Sequence, residues 1–113
     1  MRTKMIQGLF SCVVIIGLVQ QTASSVRAEN EAETWFKVKC APCHRPDGKA
    51  ETTMGKTLKI PACGSPATQG QSDAQLTEIV SKGKNKMPAY DGKLSKEQIA
   101  GLVVYVRELG KKH

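Results

Sequence analysis

The sequence predicts a small all-α domain of about three helices joined by long loops. Three segments carry helix caps and apolar stripes, and none shows the alternation of apolar and polar residues that a strand requires. The chain has 113 residues, enough for one domain, and only four aromatic residues follow position 28. A domain with so few large side chains needs further interior volume, which a bound group would supply.

The first helix is predicted from about Glu31 to Cys43. Asn30 precedes it as a cap, and Glu33 stands where a capping-box partner belongs. Residues 45–70 are then predicted to be mostly loop, because three prolines and four glycines interrupt them. A loop this long in a compact domain needs something to wrap around.

The second and third helices share the same start and stop pattern, a serine cap with a glutamine three residues later and a glycine after the end. The defining residues are Ser72, Gln75 and Gly83 for a helix from about Asp73 to Lys82, and Ser95, Gln98 and Gly110 for a helix from about Lys96 to Leu109.

The most informative stretch is Cys-Ala-Pro-Cys-His at residues 40–44. Residues three apart lie on one face of a helix, so Cys40 and Cys43 can form thioethers with two vinyl groups of a single haem. His44 is rotated so that its ring can stand under the iron as the proximal ligand. The motif therefore predicts one covalently attached haem c, with its iron, around which the long loop wraps.

Two other uses of paired thiols compete with haem attachment. A thioredoxin-type redox motif expects strands alternating with helices around it, and no such alternation is visible. A zinc site would need Cys63 and His113 to join the two motif thiols, but no second pair of ligands at short spacing exists. The sequence therefore favours haem over both.

Met87 is predicted to fill the sixth coordination position of the iron. A methionine there favours reduced iron and raises the reduction potential, which suits electron transfer. Pro88 directly follows Met87 and stiffens the loop between the second and third helices. Met54 stands only ten residues after His44, where crossing to the opposite haem face is difficult, so it is the less favoured candidate. An open or non-methionine site is the remaining alternative.

The first 28 residues are predicted to form a secretory signal peptide, with a basic start, an apolar run over residues 9–19 and small residues before a cut after Ala28. The run is shorter than the about 20 residues that span a bilayer, so no stable membrane span is expected. The mature domain, residues 29–113, is expected to be exported, to the periplasm or otherwise outside the cytoplasmic membrane.

The predicted mature domain carries 14 Lys and Arg against 10 Asp and Glu, a formal charge of +4. Without aromatic residues interleaved along a basic stripe, this excess does not indicate nucleic-acid binding. It is compatible with steered docking onto acidic surfaces of redox partner proteins, and equally with lysines that only solvate the surface. The lysines near the proposed exposed edge are Lys84, Lys86 and Lys93.

Residues 30–110 resemble the class I cytochrome c family, especially its short bacterial monohaem members. The resemblance rests on the motif at residues 40–44, on Lys-Met-Pro at residues 86–88 and on positions in the terminal helices. It implies a cytochrome c-like fold, with loops wrapped around one covalent haem and with His/Met axial ligands.

The terminal helices carry the rest of this resemblance. Phe36 matches the family's aromatic residue four positions before the first motif cysteine, and Ala32 stands where a glycine is usual. Leu102 and Tyr105 match a Leu-x-x-aromatic pattern on the last helix. The resemblance implies that these four residues meet where the terminal helices cross.

Several residues are candidates for the surroundings of the haem. The family often has a first-loop proline whose carbonyl accepts a hydrogen bond from the proximal histidine, and Thr53 stands near that position here. Lys59, Gln69 and Tyr90 are candidate partners of the haem propionates.

Cys63 is left over once haem takes two thiols. It is expected to be unpaired and partly buried, with an intermolecular pair, a buried apolar role or a modified thiol as alternatives.

Together these features predict an exported monomeric monohaem cytochrome that transfers single electrons between redox partner proteins. Cys40 and Cys43 would tether the haem, with His44 and Met87 as iron ligands. A six-coordinate iron offers no position for substrate, so no enzymatic activity is expected. The alternatives are a haem sensor or small haem enzyme with an open sixth site, or a haem subunit of a larger oxidoreductase.

Overall fold

The computed structural model describes residues 19–112, with side chains from Val26 onward. Within these residues there is no β-strand, and no helix is long and apolar enough to cross a membrane. The predicted all-α class is confirmed. The elements in chain order are α1 (Val19–Trp35), a π-helical segment (Phe36–Cys40), α2 (Ala41–His44), α3 (Thr53–Thr57), α4 (Pro66–Gln69), α5 (Asp73–Lys82) and α6 (Lys96–Lys111).

The first helix begins earlier than predicted. It was expected to start at Glu31 under a cap from Asn30, whereas α1 already runs from Val19. Asn30 lies inside α1, and its carbonyl accepts a 2.8 Å hydrogen bond from the Thr34 hydroxyl. Residues 19–35 contain no glycine or proline, so nothing local ends the helix at residue 30. Most of the predicted signal peptide, residues 1–18, lies outside the described part of the chain.

The helix changes its hydrogen-bond register directly before the thiol motif. From Phe36 to Cys40 the chain is π-helical, and the N–H of Ala41 donates to the carbonyl of Phe36, five residues back. Such segments are rare and are frequently found at functional sites. The chain then returns to α-helical geometry and leaves the helix after His44. The motif therefore lies at the carboxyl end of one continuous helical stretch.

Helices α5 and α6 begin as predicted, each with a complete capping box. Helix α5 has the predicted bounds, whereas α6 continues past Leu109 to Lys111. The prediction that Gly110 ends this helix is wrong. A Cβ at Gly110 would lie 2.6 Å from the amide group of Gln69, so the glycine makes room for that side chain against α6.

The segment between the motif and α5 is more ordered than the mostly irregular loop that the sequence predicts. It contains α3 and α4, and each of these short helices begins at a side-chain cap. The Thr52 hydroxyl accepts the N–H of Gly55 at 2.8 Å, and the Ser65 hydroxyl accepts the N–H of Thr68 at 3.3 Å. The segment between the motif and α5 therefore contains two short helices, separated by irregular stretches with glycines and prolines.

The two long helices pack against each other at their small residues. Ala32 is 4% exposed, and a Cβ added at Gly101 would lie 3.6 Å from the Ala32 Cβ. The rings of Phe36 and Tyr105 meet beside this point with centroids 5.2 Å apart, and Leu102 is buried there. The crossing implied by the resemblance is confirmed. Gly101 supplies a small residue opposite the alanine that replaces the usual glycine.

Gly101→Ala is expected to raise the free energy of unfolding by about 0.5–1 kcal/mol, because alanine loses less backbone entropy than glycine inside a helix. Its methyl group would meet Ala32 at an ordinary contact distance. Gly55→Ala is the matched comparison and should destabilise, since its Cβ would overlap the carbonyl oxygen of Ala50. Denaturant unfolding of the purified protein measures both. Equal destabilisation by the two substitutions would contradict the packing at this crossing.

A cluster of buried side chains joins α6 to the end of the first helix and to both loops. Cys40 packs against this core and is partly buried by it. The buried members are Phe36, Cys63, Tyr90, Leu94, Ile99, Leu102 and Leu109, and Trp35, Cys40, Val80, Tyr105 and Val106 pack against them.

Candidate haem site

The two thiols and the histidine of the motif lie close together at the end of the first helical stretch. Cys40 is the last residue of the π-helical segment, and Cys43 and His44 are the last residues of α2. All three side chains are half-buried, and both thiols are free. Because helical residues three apart face the same side, both thiols are available to the edge of one planar group.

The chain turns back sharply after His44 and covers the carbonyl groups of the motif. Arg45 and Ala50 have left-handed backbone angles, with φ of 67° and 56°. The N–H of Ala50 donates to the carbonyl of His44 at 2.9 Å, and the Thr52 hydroxyl donates to that of Cys43 at 2.8 Å. These bonds satisfy carbonyls that the end of a helix leaves free, and they fix the first loop onto the motif.

The imidazole of His44 packs into the core. Its ring centroid lies 6.3 Å from that of Phe36, and its Nδ1 lies 4.0 Å from the Sγ of Cys63. Burial lowers the pKa of His44 from its ordinary value. Because a histidine binds a metal through a neutral ring, this environment favours the form that can act as a ligand.

The Cys40 thiol is not activated for disulfide exchange. Burial raises the pKa of Cys40 to about 11, with a further contribution from the Cys43 thiol. Redox motifs need the opposite, a thiol whose pKa is lowered. The zinc alternative also gains no support: no three His, Cys, Asp or Glu side chains among the described residues are grouped to hold a metal ion, and His113 lies outside them.

Met87 lies in a tight turn between α5 and α6. Its N–H donates to the carbonyl of Lys84 at 2.9 Å, and the Lys84 N–H donates back at 3.3 Å, around Asn85 with φ of 54°. Gly83 is required beside this turn, because a Cβ there would overlap the Met87 carbonyl. Met87 is half-buried, whereas Met54 on α3 is 50% exposed. Of the two candidate ligands, Met87 has the more shielded setting.

Tyr90 links the Met87 turn to the thiol motif, and sequence reasoning missed this link. Its hydroxyl donates at 3.3 Å to the carbonyl of Lys39, the residue before Cys40, and its ring is buried. Its N–H donates to Val80 of α5 at 3.1 Å. Tyr90 and Lys39 are 51 positions apart, so no local pattern announces the contact. It ties the loop that carries Met87 to the helix end that carries the motif.

Two of the three candidate propionate partners already use their polar groups within the protein. The Gln69 amide donates to the carbonyls of Cys63 at 2.7 Å and Val106 at 3.1 Å. The Tyr90 hydroxyl donates to the backbone beside the motif. Lys59 is exposed. Of the three side chains, Lys59 is therefore the one that remains accessible to a carboxylate.

The lysines predicted to meet partners are exposed around the Met87 turn. Lys84 and Lys86 belong to the turn itself, and both are exposed. The ammonium of Lys93 lies 5.9 Å from the centre of the Tyr90 ring. The three cations thus lie on the turn or beside the tyrosine that joins it to the motif.

Cys63, the cysteine left over by the motif, forms no disulfide within the described residues, and at 5% exposed it is more buried than expected. Burial raises the pKa of Cys63 to about 11, with the Cys40 thiol contributing.

The side chains of the candidate site have the chemistry that a haem c requires. Free thiols at Cys40 and Cys43, an imidazole at His44 and a thioether at Met87 fit a covalently attached haem with sulfur and nitrogen ligands.

Comparison with known proteins leads to the same family. The family model described as cytochrome c oxidase, cbb3-type, subunit III matches residues 27–106. A cytochrome c6-like protein of a Nostoc species is 32% identical over 103 residues, which cover 88% of this chain and 89% of that protein. A cytochrome c6 of a Synechococcus species is 36% identical over 78 residues, which cover 69% of this chain and 67% of that protein.

A longer protein also matches. The cbb3-type cytochrome c oxidase subunit FixP of Bradyrhizobium diazoefficiens is 36% identical over 84 residues, which cover 71% of this chain. The matched region is only 27% of the length of that subunit. The similarity therefore concerns one part of it.

Proposed function

This chain belongs to the class I cytochrome c family, and on that basis we propose which of its residues hold the iron and meet its partners. It is a small monohaem electron carrier with one covalently attached haem c, and the haem iron supplies the reversible one-electron chemistry.

We infer that Cys40 and Cys43 tether the haem and that His44 is the proximal ligand. The observation that carries this is the placement of two free thiols and a half-buried histidine at one helix end. The bonds from Ala50 and Thr52 hold the following loop against that end. We propose that Ala50 and Thr52, by holding this loop in place, keep the ring of His44 oriented and shielded from water.

Met87 is proposed as the distal ligand. Its turn is braced by two backbone hydrogen bonds and by the close packing of Gly83, and Tyr90 ties the same loop to the motif. A thioether held in a stiff loop keeps the sixth position filled in both oxidation states. The oxidised protein is then expected to show a far-red sulfur-to-iron absorption band. The absence of that band would remove Met87 from the ligand set.

With both axial positions filled, we propose that the protein is not an enzyme. The rival is a haem sensor or small haem enzyme with an open sixth site. Carbon monoxide separates the two, because it binds readily only where that position is free. Resistance of the reduced wild-type protein to carbon monoxide supports the electron carrier, and ready binding supports the rival.

A second candidate is a haem subunit of a larger oxidoreductase. The description of the matching family model and the similarity to FixP favour it. We propose instead a free carrier that consists of a single chain. Gel filtration of the protein from its own cells decides between them. Elution at the size of one chain supports the free carrier, and a stable complex that co-purifies supports the subunit.

Export is proposed from the amino-terminal pattern of a basic start, an apolar run and small residues before position 29. Signal peptidase would release a domain that begins at Glu29, in the periplasm or otherwise outside the cytoplasmic membrane. Amino-terminal sequencing of the protein from the periplasmic fraction tests this, with Glu29 as the expected first residue.

The exposed lysines around the Met87 turn are proposed to steer acidic redox partners. Lys84→Glu with Lys86→Glu should slow electron transfer with the native partner at low salt. The effect should fade at high salt, since the Debye length falls from about 30 Å at 0.01 M to about 3 Å at 1 M. Lys111→Glu with Lys112→Glu is the control, because it changes the net charge equally at the end of α6. Equal slowing by both pairs, or by neither, would leave the lysines as solvating residues only.

A further inference from the structure

Cys63 has no place in the ligand set, yet its sulfur lies against the proximal histidine. Its side chain is 5% exposed, and its Sγ is 4.0 Å from Nδ1 of His44. Among the described side chains of residues 26–112, Cys63 is the one whose polar atom contacts Nδ1 of His44. A thiol sulfur is a weak hydrogen-bond acceptor and a weak donor. Nδ1 is the ring nitrogen that stays free when the other one binds iron.

The position of Cys63 is set by contacts on both sides of its backbone. Its N–H donates to the carbonyl of Gly48 at 2.8 Å, and its carbonyl accepts the amide of Gln69 at 2.7 Å. Gln69 is itself held by Arg107 of α6, whose guanidinium donates to the Gln69 carbonyl at 3.0 Å. These contacts fix the backbone of Cys63 independently of His44.

Gly48 leaves space for this arrangement. A Cβ at Gly48 would lie 3.0 Å from the Cβ of Cys63 and 3.3 Å from its Sγ, and the φ of Gly48 is 73°. A side chain at position 48 would therefore crowd the thiol of Cys63.

The ring of His44 is not hydrogen-bonded to the loop carbonyl that was expected to serve it. Thr53, near the position of the family's usual proline, is exposed and begins α3. The neighbouring Thr52 hydroxyl is bonded to the carbonyl of Cys43. In the described part of the chain, the ring of His44 makes no hydrogen bond with a carbonyl of this loop.

We propose that the Cys63 sulfur accepts the Nδ1–H of His44 and thereby positions the proximal ring and tunes the haem reduction potential. The proposal rests on His44 being the proximal ligand. A stronger acceptor on Nδ1–H makes the imidazole a better electron donor, which stabilises ferric iron and lowers the potential. The weakly accepting sulfur keeps the potential above the value that an oxygen acceptor would produce.

Two substitutions that remove similar volume separate this role from packing. Cys63→Ser keeps an acceptor and makes it an oxygen, so the potential should fall. Cys63→Ala removes the acceptor, so the potential should rise. We expect the two variants to differ by about tenfold in the ferric–ferrous equilibrium, which is about 59 mV for one electron. Val103→Ala, at a buried site outside the core cluster that contains Cys63, should leave the potential unchanged.

Redox titration of the haem-loaded protein measures these shifts, and NMR of the 15N-labelled ferrous protein supplies a second readout. The Nδ1–H of His44 should exchange slowly with water in the wild type and faster in Cys63→Ala. Equal shifts of the same sign in both variants, or no shift, would overturn the role of Cys63, as would an unchanged exchange rate in Cys63→Ala.

The same spectra keep this failure apart from failure of the proposed ligand. Ring protons of His44 that are displaced by the haem ring current identify His44 as bound to iron, whatever the variants do. Wild-type spectra without that displacement would remove the proximal ligand and, with it, the role of Cys63. Displaced ring protons together with unresponsive potentials would overturn the role of Cys63 alone.

Discussion

Replacing both Cys40 and Cys43 with serine is expected to abolish covalent haem retention and to leave the chain largely unfolded. A serine hydroxyl does not form the thioether that a thiol forms with a haem vinyl group. Cys40 also packs against the buried cluster, so we expect an attached haem to cover that side of the core. A small domain without its prosthetic group has too little buried apolar surface to remain stable. Acid–acetone extraction measures haem retention, and far-ultraviolet circular dichroism measures helix content.

Cys63→Ala is the control for this experiment, because it removes a cysteine from the same core and leaves the motif intact. Its haem should stay with the polypeptide through extraction. Haem that resists extraction from the double serine variant would contradict the tether assignment. A wild-type protein that is well folded without haem would contradict the structural role given to the haem.

Met87→Ala is expected to lower the reduction potential by a few steps of about 59 mV, each a tenfold change in the equilibrium. A thioether prefers ferrous iron, so its loss favours ferric iron. The sixth position should open, and carbon monoxide and azide should then bind readily. The variant should stay red and helical, because the thioethers of Cys40 and Cys43 and the bond from His44 persist.

Met54→Leu is the matched control, since it removes the other candidate thioether from an exposed site. It should retain the far-red absorption band of the oxidised protein, the potential and the resistance to carbon monoxide. The opposite pattern, in which Met54→Leu loses the band and Met87→Ala keeps it, would transfer the ligand role to Met54.

The helix starts that the sequence predicts best are those whose stabilising contacts are local. The serine caps of α5 and α6 and their glutamine partners lie within four consecutive residues, so the capping boxes can be predicted from spacing alone. The motif at residues 40–44 is local in the same sense, because its chemistry depends on offsets within one helical turn. These features needed no knowledge of the rest of the fold.

The features that the sequence did not predict have different origins, and only some of them depend on tertiary contacts. Gly110 looks like a helix stop, but it serves the packing of Gln69, which reaches it from another element. The start of α1 depends on the residues before position 31, which the prediction assigned to a separate segment. The π-helical register before the motif follows from no side-chain pattern, since apolar spacing does not distinguish hydrogen bonds to the fourth and fifth residue back.

The site shows the same division. The ligand candidates are visible in the sequence, whereas their surroundings are assembled across the chain. Cys63 meets His44 across 19 positions, and Tyr90 meets Lys39 across 51. No local sequence pattern around the cysteine outside the motif or the loop tyrosine predicts these contacts. The resemblance to the family did not supply them either, because it led to Thr53 as the partner of the histidine.

The intact mass of the protein isolated from its own cells tests the central claim most directly. We expect the mass of the polypeptide from Glu29 onward plus one haem, retained under denaturing conditions. A processed chain at the mass of the bare polypeptide, purified from cells that attach haem to other proteins, would contradict it.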